Sequence, residues 1–108
     1  METQADMGKI TIAPGVLVTT ARLTALAVPG VARLIPPPGV GRLFHNDGVK
    51  VEIVDNKVYV KVYVMTEAGV NMLRVGRTIR MEISRALQGM VGVDVHAVDV
   101  HIEDVSHA

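Results

Sequence analysis

Asp99, His101 and Glu103 recur at every second position of one stretch, with Asp94 and His96 just before them. In an extended strand that spacing places the three side chains on one face, about 7 Å apart in succession, where they could share a cation. The same alternation is what a solvated strand face looks like, and no second ligand cluster accompanies it, so no metal is assigned. Ser84 and Ser106 have no His-Asp arrangement at a readable spacing. Cysteine is absent, which removes thiol catalysis, disulfides and cysteine-ligated zinc. Gly39-Val40-Gly41 lacks the strand before it and the Lys-Ser/Thr after it that a phosphate loop requires. The expectation is a chain that is not an enzyme, with no catalytic residue and no cofactor.

Two other constellations suit binding. Arg74, Arg77, Arg80 and Arg85 crowd one segment with Leu73 and Met81 among them and only Glu82 against them. Apolar groups set among arginines suit a protein interface, where Arg binds carboxylate bidentately. Arg74, Arg77, Arg80, Met81 and Arg85 are therefore the expected partner-docking residues; a merely solvated surface and an anionic lipid remain the competing readings. Tyr59, Lys61 and Tyr63 alternate on a second stretch, and an open sheet with exposed aromatics is how some RNA-binding domains stack bases. A single-stranded RNA-binding module is thus the alternative function. Zero formal net charge and the acidic Asp99 and Glu103 expected on the same open face count against it.

The elements that must position these groups begin with Gly48 to Val64. Val49, Val51 and Ile53 alternate with polar residues, as do Val58, Val60, Val62 and Val64, around a turn at Asp55-Asn56. A two-residue turn pairs Ile53 with Val58, Val51 with Val60 and Val49 with Val62, so turn and alternation specify one register. Before it, Ile10 and Ile12 read as a short strand, and Pro14 opens a first helix running to about Val28. That helix is apolar almost all round. Leu23 and Leu26 lie away from the arc of Leu17, Ala21 and Val28, and are the expected self-association residues; cover of this face by the Pro-rich loop is the competing reading. Ile35 to Asp47, with Pro36-Pro37-Pro38-Gly39, is the longest irregular piece.

After the hairpin, Asn71 is the expected N-cap of a second helix ending near Gln88, stopped by Gly89 and Gly92. Met72, Val75, Ile79, Ile83, Ala86, Leu87 and Met90 form its inner face, with Gly76 expected to permit close approach. Val93 to Val105 is the last strand, whose parity changes at Ala97 and marks a bulge. The fold class is α+β, a two-layer β-α-β-β-α-β domain. Its four-stranded antiparallel sheet carries both helices on one face, in ferredoxin-like order. Residues 9–105 make one domain and 1–8 a disordered N-terminus.

The composition agrees with one such domain. The chain has 108 residues, 49% of them apolar, with one Phe and no Trp, so its core must be aliphatic. The N-terminus lacks the apolar run of a secretion signal, and no stretch has the length of a membrane span, so a cytoplasmic location is expected.

Five pieces in sequence carry a family likeness: Gly8-Lys9-Ile10-Thr11-Ile12-Ala13-Pro14, Val28-Pro29-Gly30-Val31-Ala32, Gly48 to Ile53, Tyr63-Val64 through Gly69-Val70-Asn71, and Gly92-Val93 through Val98 to Ile102. In order and spacing they resemble the alkaline-shock, or general-stress, protein family over Gly8 to Val105. Two departures are local: a proline-rich, shorter loop between Val31 and Gly48, and four arginines on the second helix where acids and bases are usually mixed. The resemblance implies a non-catalytic bacterial protein of envelope homeostasis and stress response. It implies self-assembly into homo-oligomers and association with the inner face of the cell membrane through another, membrane-anchored protein. It brings no catalytic residues.

Overall fold

A computed structural model describes residues 8, 10–36, 48–92 and 94–107. Its elements are α1 (Pro14–Leu26), β1 (Val31–Leu34), β2 (Val49–Val54), β3 (Lys57–Thr66), α2 (Met72–Val91) and β4 (Asp94–Val105). The fold is α+β, with four strands in one sheet and two helices packed on one of its faces. The hairpin has the expected register, Ile53 opposite Val58, Val51 opposite Val60 and Val49 opposite Val62. Asp55 and Asn56 take positive φ angles of 51° and 65°, the left-handed pair that lets a two-residue turn match strand twist.

The strand expected at Lys9–Ile12 is not formed: Ile10 to Ala13 belong to no strand, Ile10 is 91% exposed, and Lys9 lies outside the described residues. The fourth strand is instead β1, so the element order is α-β-β-β-α-β rather than β-α-β-β-α-β. The physical reason lies in β3. It has two edges, and β4 occupies one of them along the whole length from Lys57 to Thr66. Both β1 and β2 must then share the other, and they do so end to end, β1 against Val64–Thr66 and β2 against Lys57–Val62. At the junction the Ile35 N–H donates to Tyr63 O (3.0 Å) and the Tyr63 N–H donates to Gly48 O (2.9 Å). No edge of β3 remains for an N-terminal strand.

β1 and β2 run antiparallel to β3, as expected, whereas β4 runs parallel to it. Helix length explains the direction. The 20 residues of α2 span about 30 Å, close to the ~33 Å of the 10-residue β3, so α2 returns the chain to the end where β3 began. β4 then leaves in the same direction, as a helical crossover demands. The expected bulge is present: Val58 faces Val95 and Tyr59 faces Ala97, which leaves His96 as the extra residue. A second, unforeseen bulge leaves Glu103 between Ile102 and Asp104.

One core holds the layers together. Leu17, Ala21 and Ala25 of α1, which ends at Leu26 rather than near Val28, and Val28 just beyond it meet Val75, Ile79, Ile83 and Leu87 of α2 over Val49, Val58, Val60, Val62 and Val64. The inner stripe of α2 is shorter than expected, because Met72 and Met90 at its ends are both about half exposed. Asn71 caps α2 as expected, its Oδ1 accepting from the Arg74 N–H at 3.0 Å, and Gly92 closes it in the left-handed region at φ 67°. The helix reaches Val91, past the expected Gln88, with Gly89 inside it. Gly76 does not mark a close approach: a Cβ there would stand 3.8 Å from Ile102 Cδ1, an ordinary contact. Of the expected disordered terminus 1–8, all but Gly8 lies outside the described residues, as does most of the proline-rich loop, 37–47.

Candidate functional site

α2 sets the site. With Val75, Ile79, Ile83 and Leu87 buried, the 3.6-residue period turns Arg74, Arg77, Met81 and Arg85 outward and puts Leu73 and Arg80 on one flank. All four arginines are exposed, as are Leu73 (65%) and Met81 (51%). The structure then divides the group that the sequence treats as one patch. Arg77 and Arg80 line a trough between α2 and β4, together with Leu73, Gly76 and the stretch Val98 to Ile102. Farther along, the same two arginines border Met81, Ser84 and Val95 to Val98. Arg85 turns the other way, into a groove between α1 and α2 that it shares with Leu23, Thr24, Ala86 and Glu82.

Charges around the crest are sparsely matched. Arg85 Nη1 lies 3.4 Å from Glu82 Oε2, one turn apart on the helix, and this is the ion pair found among the described residues. Such an exposed pair contributes roughly 0.5 kcal/mol or less. Arg74, Arg77 and Arg80 have no carboxylate within ion-pair distance among the described residues. Asp99 borders the same trough as Arg77 and Arg80 without bridging to either.

On α1 the large apolar residues turned outward are Val16 (43% exposed), Leu23 (55%) and Leu26 (39%), while Leu17, Ala21 and Ala25 face the core. Leu23 shares the α1–α2 groove with Arg85. Leu26 lies apart from it, beside Arg22, Arg33, Leu34 and Pro36. The two expected interaction surfaces thus meet at Leu23 and Arg85.

The strand-face constellations are also changed by geometry. Asp99 and His101 stand opposite Lys61 and Tyr63 on the face away from the helices, but the bulge at Glu103 breaks the alternation that would have continued the trio. Among the described residues no three His, Asp or Glu side chains gather as a metal site would need. The tyrosines are not bare platforms. The Tyr63 ring stacks on His101 at 4.6 Å between centroids and 12° between planes, and Tyr59 meets His96 at 5.0 Å and 52°. Both tyrosines are half-buried as a result, and His101 Nε2 is enclosed with no hydrogen-bond partner among the described residues. These tyrosine–histidine pairs escaped sequence reading because they depend on the parallel register of β4. Among the described residues no helix is long and apolar enough to cross a membrane.

Comparison with known proteins places this arrangement. The alkaline shock protein 23 family, described by a cell envelope-related function, matches residues 2–107. The uncharacterized protein YqhY of Bacillus subtilis (strain 168) is 30% identical over 102 residues, covering 89% of this chain and 76% of YqhY. Among solved structures, the MamM CTD superposes with a TM-score of 0.56 at 14% identity, covering 85% of this chain and 99% of that one. A doubly substituted MamM CTD gives 0.57 at 13%, covering 88% and 96%. That likeness is one of fold alone. The family match spans nearly the whole chain and agrees with the relative in sequence: the chain belongs to the alkaline shock protein 23 family, whose function is cell envelope-related.

Proposed function

We propose that this protein acts without catalysis, as a self-assembling docking component of cell-envelope homeostasis and stress response. In this reading it is cytoplasmic and held peripherally at the inner face of the cell membrane by a membrane-anchored partner. The observation that carries the reading is the crest of α2, where Arg74, Arg77 and Arg80 are exposed beside Leu73 and Met81 with no acidic neighbour in ion-pair reach among the described residues. Like charges three or four positions apart on a helix repel by a few tenths of a kcal/mol each. An acidic partner surface reverses that term and gains bidentate carboxylate contacts. Leu23 and Leu26 supply the apolar surface for a second copy of the chain.

The test is charge reversal at two exposed arginines of α2, one on the crest and one in the α1–α2 groove. Arg77→Glu with Arg85→Glu should leave the melting temperature nearly unchanged, since both side chains are exposed. Recovery of the membrane-anchored partner from native membranes should be abolished. Undiminished recovery at moderate salt, with the variant folded, would show the arginines to be only a solvated surface.

A further inference from the structure

We infer that the outer edge of β4, between its two bulges, is a strand-addition site for an extended, acid-bearing segment of a partner protein. This rests on the docking reading above and adds to it the mode of binding and the chemistry of the occupant. β4 is 12 residues long and pairs only with β3, so among the described residues its other edge carries unpaired backbone groups. Long free edges are usually blunted, and this one is blunted at its two ends: His96 and Glu103 are the extra residues of bulges. Between them, Ala97 to Ile102 pair residue for residue with Tyr59 to Val64, an uninterrupted stretch whose outer edge is geometrically regular.

That same stretch forms one wall of the trough. Val100 and Ile102 are partly buried against the core, α2 overhangs them with Leu73, Arg77 and Arg80, and Gly76 contributes no side chain to fill the space. A strand added at about 4.8 Å from β4 would send alternate side chains under α2. Those side chains meet Leu73 at one point and two arginines without an acidic partner among the described residues. The fitting segment therefore alternates, with apolar and acidic residues facing α2. On the other face, neutral or basic residues would come opposite the exposed Asp99. A second copy of this chain fits less well. Pairing β4 with its symmetry mate would lay α2 alongside α2 and set Arg77 and Arg80 against their own copies, a like-charge juxtaposition.

The experiment uses a short fluorescent peptide with glutamate, leucine and glutamate at alternate positions and threonine or lysine between. Its controls are a version with lysine for glutamate and two versions N-methylated along one or the other backbone edge. The expected result is salt-sensitive binding that is lost with lysine for glutamate. Binding should fall at least about tenfold on Arg77→Glu with Arg80→Glu, and on Gly76→Leu, which fills the trough. Methylation of one edge should abolish binding while methylation of the other spares it, and saturating peptide should slow amide exchange within Ala97–Ile102. Equal binding of both methylated peptides would overturn strand addition. So would no binding by any peptide alongside partner recovery that still depends on Arg77 and Arg85, an outcome that leaves the docking reading standing. Concentration-dependent protection of Ala97–Ile102 in the protein alone would assign the edge to a second copy and overturn the inference too.

Discussion

Two glycines of this chain should respond to the same substitution with opposite signs. Gly48 has a φ of +92°, and a Cβ there would stand 2.5 Å from Ile35 O and 3.0 Å from Ile35 N, backbone atoms that cannot yield separately. Gly48→Ala should cost about 3 kcal/mol or more in denaturant unfolding, from the left-handed conformation and the clash together. Gly76 lies inside α2 with ordinary room for a Cβ, so Gly76→Ala should stabilise by up to about 1 kcal/mol, the helix preference for alanine. Stabilisation at Gly48 or destabilisation at Gly76 in the same titration would show that the local packing is not as described. The sequence could suggest that glycine mattered inside α2, but not that Gly48 was the constrained one. The contact at Gly48 joins residues far apart in the sequence, and no periodicity reports it.

At the scale of elements, what was readable followed from local pattern, and what was missed depended on partners. The β2–β3 hairpin was legible because Asp55-Asn56 and the alternating valines specify its register independently. The Val31–Leu34 strand was not, since its bulge at Ala32 destroys the alternation in a strand of only four residues. Ile10 and Ile12 do alternate, yet alternation describes two faces and says nothing of a free edge to pair with. The bulge at His96 shows in the sequence as a parity change, and the three-residue step from Ile102 to Val105 is the equivalent sign of the one at Glu103. The faces of α2 were legible in the same way, but the division of its arginines between two grooves needed the position of β4. For α1 the prediction concerns the arc it leaves outside. Leu17, Ala21 and Ala25 are buried, so Leu23→Lys with Leu26→Lys should change stability by about 1 kcal/mol or less, the lysine stems still covering neighbouring apolar surface. The same pair should shift sedimentation toward the monomer. A wild-type protein that already sediments as a monomer at high concentration would remove α1 as an assembly surface.

On the scale of the whole molecule, β1 and β2 behave as a single edge strand interrupted once. Leu34 stands opposite Val64 and Val49 opposite Val62, so only one position is needed between them, opposite Tyr63. Ile35 and Gly48 divide that position: one supplies the donor to Tyr63 O and the other the acceptor for the Tyr63 N–H. An ordinary residue of an antiparallel ladder supplies both. The described chain thus runs helix, long edge strand, central strand, helix, parallel strand, with the residues between Ile35 and Gly48 inserted where the edge strand passes Tyr63. Replacing residues 35–48 by a single valine should therefore join Leu34 to Val49 in unbroken register, with the inward-facing positions unchanged. Shortening the connection between Leu34 and Val49 also lowers the entropy cost of bringing them together, on the order of 2 kcal/mol for a connection of that length. The shortened chain should show an unchanged circular dichroism spectrum and a midpoint of denaturation equal to or above that of the full chain. It should also retain slow amide exchange at Tyr63, now bonded to the inserted valine. Loss of cooperative unfolding would mean that the replaced residues contribute packing the edge strand cannot do without. If the shortened chain folds but no longer recovers the membrane-anchored partner, recognition would extend beyond α2 and β4 to the proline-rich segment.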